Sequence, residues 1–156
     1  MKTHNILSID EFKTNIGRNS RLLGIDPGKK NVGIAICDEN QLVATPLKNI
    51  NKGKFEILIK EIKEIIEENN IKGVVIGNPL NMDGSFGKSA QSASDFSNNL
   101  SKNITIPITM WDERLSSEAT FKITRNLGVN VSSRVKNLDK NAAAYILQGA
   151  IDFFSN

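Results

Sequence analysis

The chain has 156 residues, 20 Lys+Arg against 17 Asp+Glu for a formal net charge of +3, and a single Cys, which fits one domain without a disulfide framework and the thiol usage of a reducing cytoplasm. Its 39% hydrophobic and 24% charged residues are ordinary globular composition; no apolar run reaches the ~20 residues of a membrane span, and residues 1–20 lack the pattern of a secretory signal. The charge is compatible with a nucleic-acid partner, while 6% aromatic residues argue against a base-stacking platform for single strands.

In chain order, residues 1–20 read as an N-terminal extension and residues 21–156 as the domain proper. Within the extension, Ser8-Ile9-Asp10-Glu11 matches a capping box and Gly17 can end a short helix. Such a helix, about two turns long, is marginal unless it docks. His4 reads as an incidental surface residue. Leu22 to Ile25 is a buried strand that stops at Asp26-Pro27-Gly28, and Val32 to Cys37 is a second, paired with it as a hairpin. Gln41 to Ile50 reads as a third strand. Phe55 to Ile66 repeats its apolar residues at helical spacing, and Gly73 to Gly77 is the all-apolar strand of a parallel sheet centre.

A Gly/Asn/Asp/Ser-rich loop, Asn78 to Ser85, leads into a helix from Gly87 to Ser101. Ile104 to Trp111 is the next strand, Ser116 or Ser117 caps a helix that Gly128 ends, and residues 128–138 read as a basic loop. A last helix runs from Asp139 to Phe154. Three antiparallel strands continuing into a parallel section predict a mixed α/β sheet flanked by helices.

Acidic residues fall where such a sheet presents ligands. Asp26, and Asp112 with Glu113, each follow directly on an apolar strand. Either position also reads as a strand-end turn residue or cap, and Arg114 as an ion-pair partner for its neighbours. Asp139 precedes Ala143 by four residues and Ile146 by seven, on the face predicted to be buried, and reads also as a helix N-cap. Carboxylates converging without Cys or His ligands suit a hard cation, Mg²⁺ or Mn²⁺. A pair of such ions ~4 Å apart can activate water and stabilise a phosphodiester's leaving oxygen. One Cys and one His in the extension build no zinc site, and Cys37, inside a strand, reads as core packing.

Four motifs occur in order: Arg21-Leu22-Leu23-Gly24-Ile25-Asp26-Pro27-Gly28, Val75-Ile76-Gly77-Asn78-Pro79-Leu80-Asn81-Met82-Asp83-Gly84, Trp111-Asp112-Glu113-Arg114-Leu115-Ser116 and Asp139-Lys140-Asn141-Ala142-Ala143-Ala144. Over Arg21 to Phe154 the chain resembles the YqgF family, whose members carry the labels pre-16S rRNA nuclease and Holliday junction resolvase. The resemblance implies a ribonuclease H-like fold, and it puts Asp26, Glu113 and Asp139 on the acidic positions that hold the metals, with Asp112 a fourth. Asn78 departs from that family's pattern, which has an apolar residue there, and the first 20 residues have no counterpart in it.

Lys29, Lys30, Arg114, Arg134, Lys136 and Lys140 lie in or beside these motifs and are the candidates to meet phosphates, Arg114 foremost; each also reads as a solvated surface cation. Gly24 to Gly28 resembles the first phosphate motif of actin-like ATPases and sugar kinases, but the second domain and the later glycine-rich loop they need are missing. The expectation is a cytoplasmic, metal-dependent nuclease acting on structured RNA, an rRNA precursor, as a monomer. The alternatives are a dimeric endonuclease for DNA junctions and a non-catalytic nucleic-acid-binding factor in rRNA maturation or transcription.

Overall fold

The computed structural model describes residues 5–79, 83–113 and 131–155, of which 131–141 by backbone only. A six-stranded sheet forms its centre: β1 (Ile6–Leu7), β2 (Arg21–Pro27), β3 (Asn31–Cys37), β4 (Ala44–Asn51), β5 (Ile71–Asn78) and β6 (Ile108–Asp112), in the spatial order β1-β6-β5-β2-β3-β4. The strands β2, β3 and β4 pair antiparallel, whereas β2, β5, β6 and β1 run parallel. Helices α1 (Ile9–Ile16), α2 (Phe55–Glu68), α3 (Lys88–Ser101) and α4 (Val131–Phe154) cover the two faces.

The period-two alternation of each strand sorts the core into two layers. Leu23, Ile25, Val74, Ile76 and Ile108 pack with Leu58, Ile62, Phe96 and Leu100 of α2 and α3. Leu22, Val75 and Trp111 pack with Phe12 of α1 and with Ala143, Ile146 and Leu147 of α4. Helix α4 presses unusually close: a Cβ on Gly24 would stand 2.7 Å from Leu147 Cβ and 2.9 Å from the Ala143 carbonyl oxygen. Only glycine fits there, and the alanines opposite are small for the same reason.

Several boundaries differ from expectation. The third strand begins at Ala44 rather than Gln41, because the Asp38 carboxylate accepts hydrogen bonds from the amides of Leu42 and Val43 (2.9 and 2.8 Å) and folds that stretch into a turn. The strand expected from Ile104 begins at Ile108, just past Pro107, which has no N–H for a ladder. Residues 131–138, expected as loop, are already helical, so Asp139 stands in the third turn of α4 and not at its N-terminus; the N-cap reading is thereby replaced. That stretch holds neither Gly nor Pro to stop a helix. The helix expected from Ser116 or Ser117 to Gly128, and His4, lie outside the described residues.

Residues 5–20, which fall in the segment expected to be an extension, pack against the sheet. Ile6 and Leu7 pair with Ile108 and Thr109 as an edge strand, and Asn5 is buried, donating to the carbonyls of Ile104 and Ile106 and accepting from the Ser101 hydroxyl. The Ser8 hydroxyl caps α1 by accepting from the Glu11 amide at 3.3 Å. Phe12 is fully buried, stacked on Phe154 with ring centroids 5.7 Å apart. Gly73 makes the room, since a Cβ there would come 2.7 Å from Phe12 Cζ. The short helix of this segment persists because Ile9, Phe12 and Ile16 dock on the sheet.

Candidate active site

The carboxyl ends of β2, β5 and β6 reach the same edge of the sheet, where open parallel sheets bind ligands. Asp26 lies near the end of β2 and pairs in register with Gly33 of β3. A Cβ on Gly33 would be 3.5 Å from Asp26 Cβ and 3.5 Å from Ala143 Cβ, so Asp26 is on the α4 side of the sheet, beside Ala143. Leu147 and Ala143 flank Gly24, and Ala143 is also beside Gly33, so the helix runs antiparallel to β2. Asp139, one turn and ~6 Å further along that helix, stands at the Asp26 end of the sheet.

Glu113 follows β6 immediately and crosses the sheet to reach this point. Its Cδ and Cγ lie 3.2 and 3.3 Å from where a Gly77 Cβ would be, so the side chain passes over β5 at a residue that has none. Gly77 pairs with Trp111 on β6 and lies one step beyond the Ile25–Ile76 pair on β2, which puts it between Glu113 and Asp26. Burial pushes the Glu113 carboxyl up to about 7, with the Asp26 and then the Asp112 carboxylates adding to the shift. Two carboxylates crowd here in partly desolvated surroundings, a pair that holds either a proton or a cation.

Asp112 pairs with Asn78 across β5 and β6. Strand alternation turns both toward the α2/α3 side, opposite to Trp111 and Asp26. The Asn78 side-chain oxygen is buried without a hydrogen-bond partner among the described residues. Lys29 and Lys30 are exposed in the turn after Asp26, where the Gly28 amide donates to the Asp26 carbonyl at 3.0 Å. A Cβ on Gly28 would meet the Asn31 carbonyl oxygen at 2.5 Å, so the turn needs this glycine. Arg114 lies outside the described residues; Asp139, Arg134, Lys136 and Lys140 are placed by the α4 backbone alone.

The geometry thus brings Asp26 and Glu113 together and puts Asp139 on the helix beside them. No group of three or more His, Cys, Asp or Glu able to hold a metal occurs among the described residues, which do not include the Asp139 side chain. The described donors are carboxylate oxygens without a nitrogen or sulfur ligand, which suits Mg²⁺ or Mn²⁺. Sequence reasoning missed Gly77 and Gly33 as parts of the site. A glycine inside an otherwise apolar strand was the available signal for close approach by another group.

Comparison with known proteins follows the same lines. Residues 20–153 match the family described as "RuvX: Holliday junction resolvase". A protein of Pelagibacter ubique described as "Putative pre-16S rRNA nuclease" is 52% identical over 151 residues, 97% of this chain and all of that protein. Proteins of the same description from Gluconacetobacter diazotrophicus and Zymomonas mobilis are 39% and 38% identical over 94% and 99% of this chain, and over 96% of each relative. Alignments of 97% and 99% of the chain reach into residues 1–20, so that segment does have counterparts. Among solved structures, Thermus thermophilus RuvC in complex with a Holliday junction substrate superimposes with a TM-score of 0.54 at 13% identity, over 83% of this chain and 91% of that one. The yeast mitochondrial Holliday junction resolvase Ydc2 gives 0.55 at 11%, over 94% and 84%. At these identities the likeness is one of fold, and it bears out the ribonuclease H-like sheet.

Proposed function

This chain belongs to the RuvX family, the YqgF family of its motifs, and from that membership and the site geometry we propose that it is a metal-dependent nuclease that cleaves structured RNA, a precursor of 16S rRNA. The observation that carries the reading is the passage of Glu113 over Gly77 to Asp26. A strand-end carboxylate with only a turn or capping role has no reason to cross a neighbouring strand and crowd a second carboxylate.

Asp26, Glu113 and Asp139 would hold Mg²⁺ or Mn²⁺. When bound, the metal supplies Lewis acidity that offsets charge on the phosphodiester and on an attacking water. Asp26 is held by the β2–β3 ladder and by the turn at Gly28, so its backbone would present the carboxylate to a cation without rearranging. Glu113 lies partly shielded, and in the metal-free protein burial and the neighbouring Asp26 carboxylate push its carboxyl up to about 7, a proton that a bound cation would displace. Lys29 and Lys30, beside Asp26, neutralise flanking phosphates. Arg114, Arg134, Lys136 and Lys140 are the further cations proposed from the sequence motifs to meet phosphates, and Asp112 adds charge behind Glu113. The products are a 5′-phosphate and a 3′-hydroxyl.

The description of the family as a junction resolvase favours a second reading, an endonuclease for four-way DNA junctions. Symmetric cutting of a junction calls for a two-fold dimer, whereas the apolar faces of α2, α3 and α4 are spent on the sheet. No helix among the described residues is long and apolar enough to cross a membrane. The distinguishing experiment is cleavage of a 5′-extended 16S precursor and of a matched four-way DNA junction, with sedimentation of the same preparation. A monomer that trims the precursor and leaves the junction whole supports the RNA reading. A dimer that makes paired symmetric nicks in the junction and leaves the RNA uncut replaces it with the second.

A further inference from the structure

The sheet carries a lateral row that continues past Asp26, away from Glu113. Asp26 pairs with Gly33, and Gly33 pairs with Asn49 of β4. All three are on the α4 side: a Cβ on Gly33 would lie 3.5 Å from Asp26 Cβ and 3.3 Å from Asn49 Oδ1. Gly33 therefore leaves an open floor between a catalytic carboxylate and an exposed carboxamide. That floor belongs to a groove of about 330 Å³ between β3, β4 and α4, walled by Pro46, Leu47, Ala143 and Ala144. Its volume is at the lower end of the ~300–1,000 Å³ of small-ligand sites, enough for one nucleotide.

We propose that this groove holds the ribonucleotide next to the phosphate being cut, and that Asn49 hydrogen-bonds its 2′-hydroxyl. The proposal rests on the nuclease reading and adds to it the basis for choosing RNA over DNA. Asn49 is two strand spacings, ~10 Å, from Asp26. A nucleotide whose phosphate lies at Asp26 brings its ribose within that reach, while its base extends further, toward Leu47 and Pro46. A carboxamide both donates and accepts, as a ribose hydroxyl does. The groove walls are apolar and uncharged beside Asn49, which suits a sugar and base better than a second phosphate. The Lys48 side chain pairs with Glu61 of α2 at 3.3 Å, on the other face of the sheet, and so puts no charge into the groove.

The test uses the full-length protein and two readouts. In an amide-shift titration with a short single-stranded RNA, the resonances of Gly33, Asn49 and Ala144 move, and the same sequence as DNA moves them less. In cleavage of the precursor, Asn49→Ala lowers kcat/KM about tenfold. On a substrate carrying a single 2′-deoxynucleotide beside the cut, wild type and Asn49→Ala are equal. RNA-induced shifts confined to other surfaces, or an Asn49→Ala penalty undiminished on the 2′-deoxy substrate, overturn the subsite and leave the nuclease reading standing. Failure of the wild type to cut any RNA overturns that reading instead, and the titration still decides whether the groove binds RNA.

Discussion

Glu113 is held over Gly77 by contact rather than by a hydrogen bond among described residues, so the site is sensitive to a single methyl group. A Cβ at position 77 would come 2.6 Å from Ile146 Cδ1 and 3.2 Å from Glu113 Cδ. The isoleucine tip can rotate away; the carboxylate is then displaced from Asp26. Gly77→Ala is expected to reduce cleavage 10–100-fold while lowering stability by only about 1–2 kcal/mol. Measuring kcat and Tm on one preparation checks both. The Glu113 carboxyl also links folding to pH. Its folded value of about 7 lies above the ordinary 4.5, so between these values the folded protein keeps a proton that the unfolded chain releases. That contribution is full below pH 4.5, falls as pH rises through 7, and amounts to about 2 kcal/mol in the metal-free protein. Glu113→Gln should flatten this part of the stability–pH curve. Mn²⁺ should raise the Tm of the wild type more at about pH 8 than at about pH 5.5, since it competes with that proton.

At the scale of elements, α1 and α4 show where pattern reading reaches its limit. The capping box at Ser8 and the helix after it were legible from local chemistry. That Phe12 docks on Gly73 and Phe154 was not, because a two-turn helix carries no record of what it packs against. Removing residues 1–19 strips the edge strand from β6 and uncovers Phe154 and Gly73. The truncated chain is expected to melt well below the full-length one, and Phe12→Ala alone should cost about 3–4 kcal/mol. Equal melting temperatures would show that α1 contributes nothing. In α4, the face over the sheet was readable from the spacing of Ala143 and Ile146, both of which it buries. Its start at Val131 was not, since polar and basic residues are as compatible with a helix as with a loop.

At the scale of the molecule, the mixed sheet followed from strand types and order: a hairpin of alternating residues, then all-apolar segments separated by helices. The order β1-β6-β5-β2-β3-β4 puts β5 beside β2 and so carries Glu113 to within one strand of Asp26. Sequence spacing alone sees a separation of 87 positions between these two and no reason for contact; the parallel pairing of β5 with both β2 and β6 supplies it. Asp26 and the Asp112–Glu113 pair stand out in the sequence because each follows an apolar strand, whereas the glycines beside them depend on which strands are neighbours. The most direct test of the account is the Mg²⁺- or Mn²⁺-dependent cleavage of a 5′-extended 16S precursor by wild type and by Asp26→Asn purified side by side. The account predicts a product with a 5′-phosphate from the wild type, and a loss of at least about 100-fold in Asp26→Asn with its fold intact. An Asp26→Asn protein that cuts the precursor at the wild-type rate would contradict it.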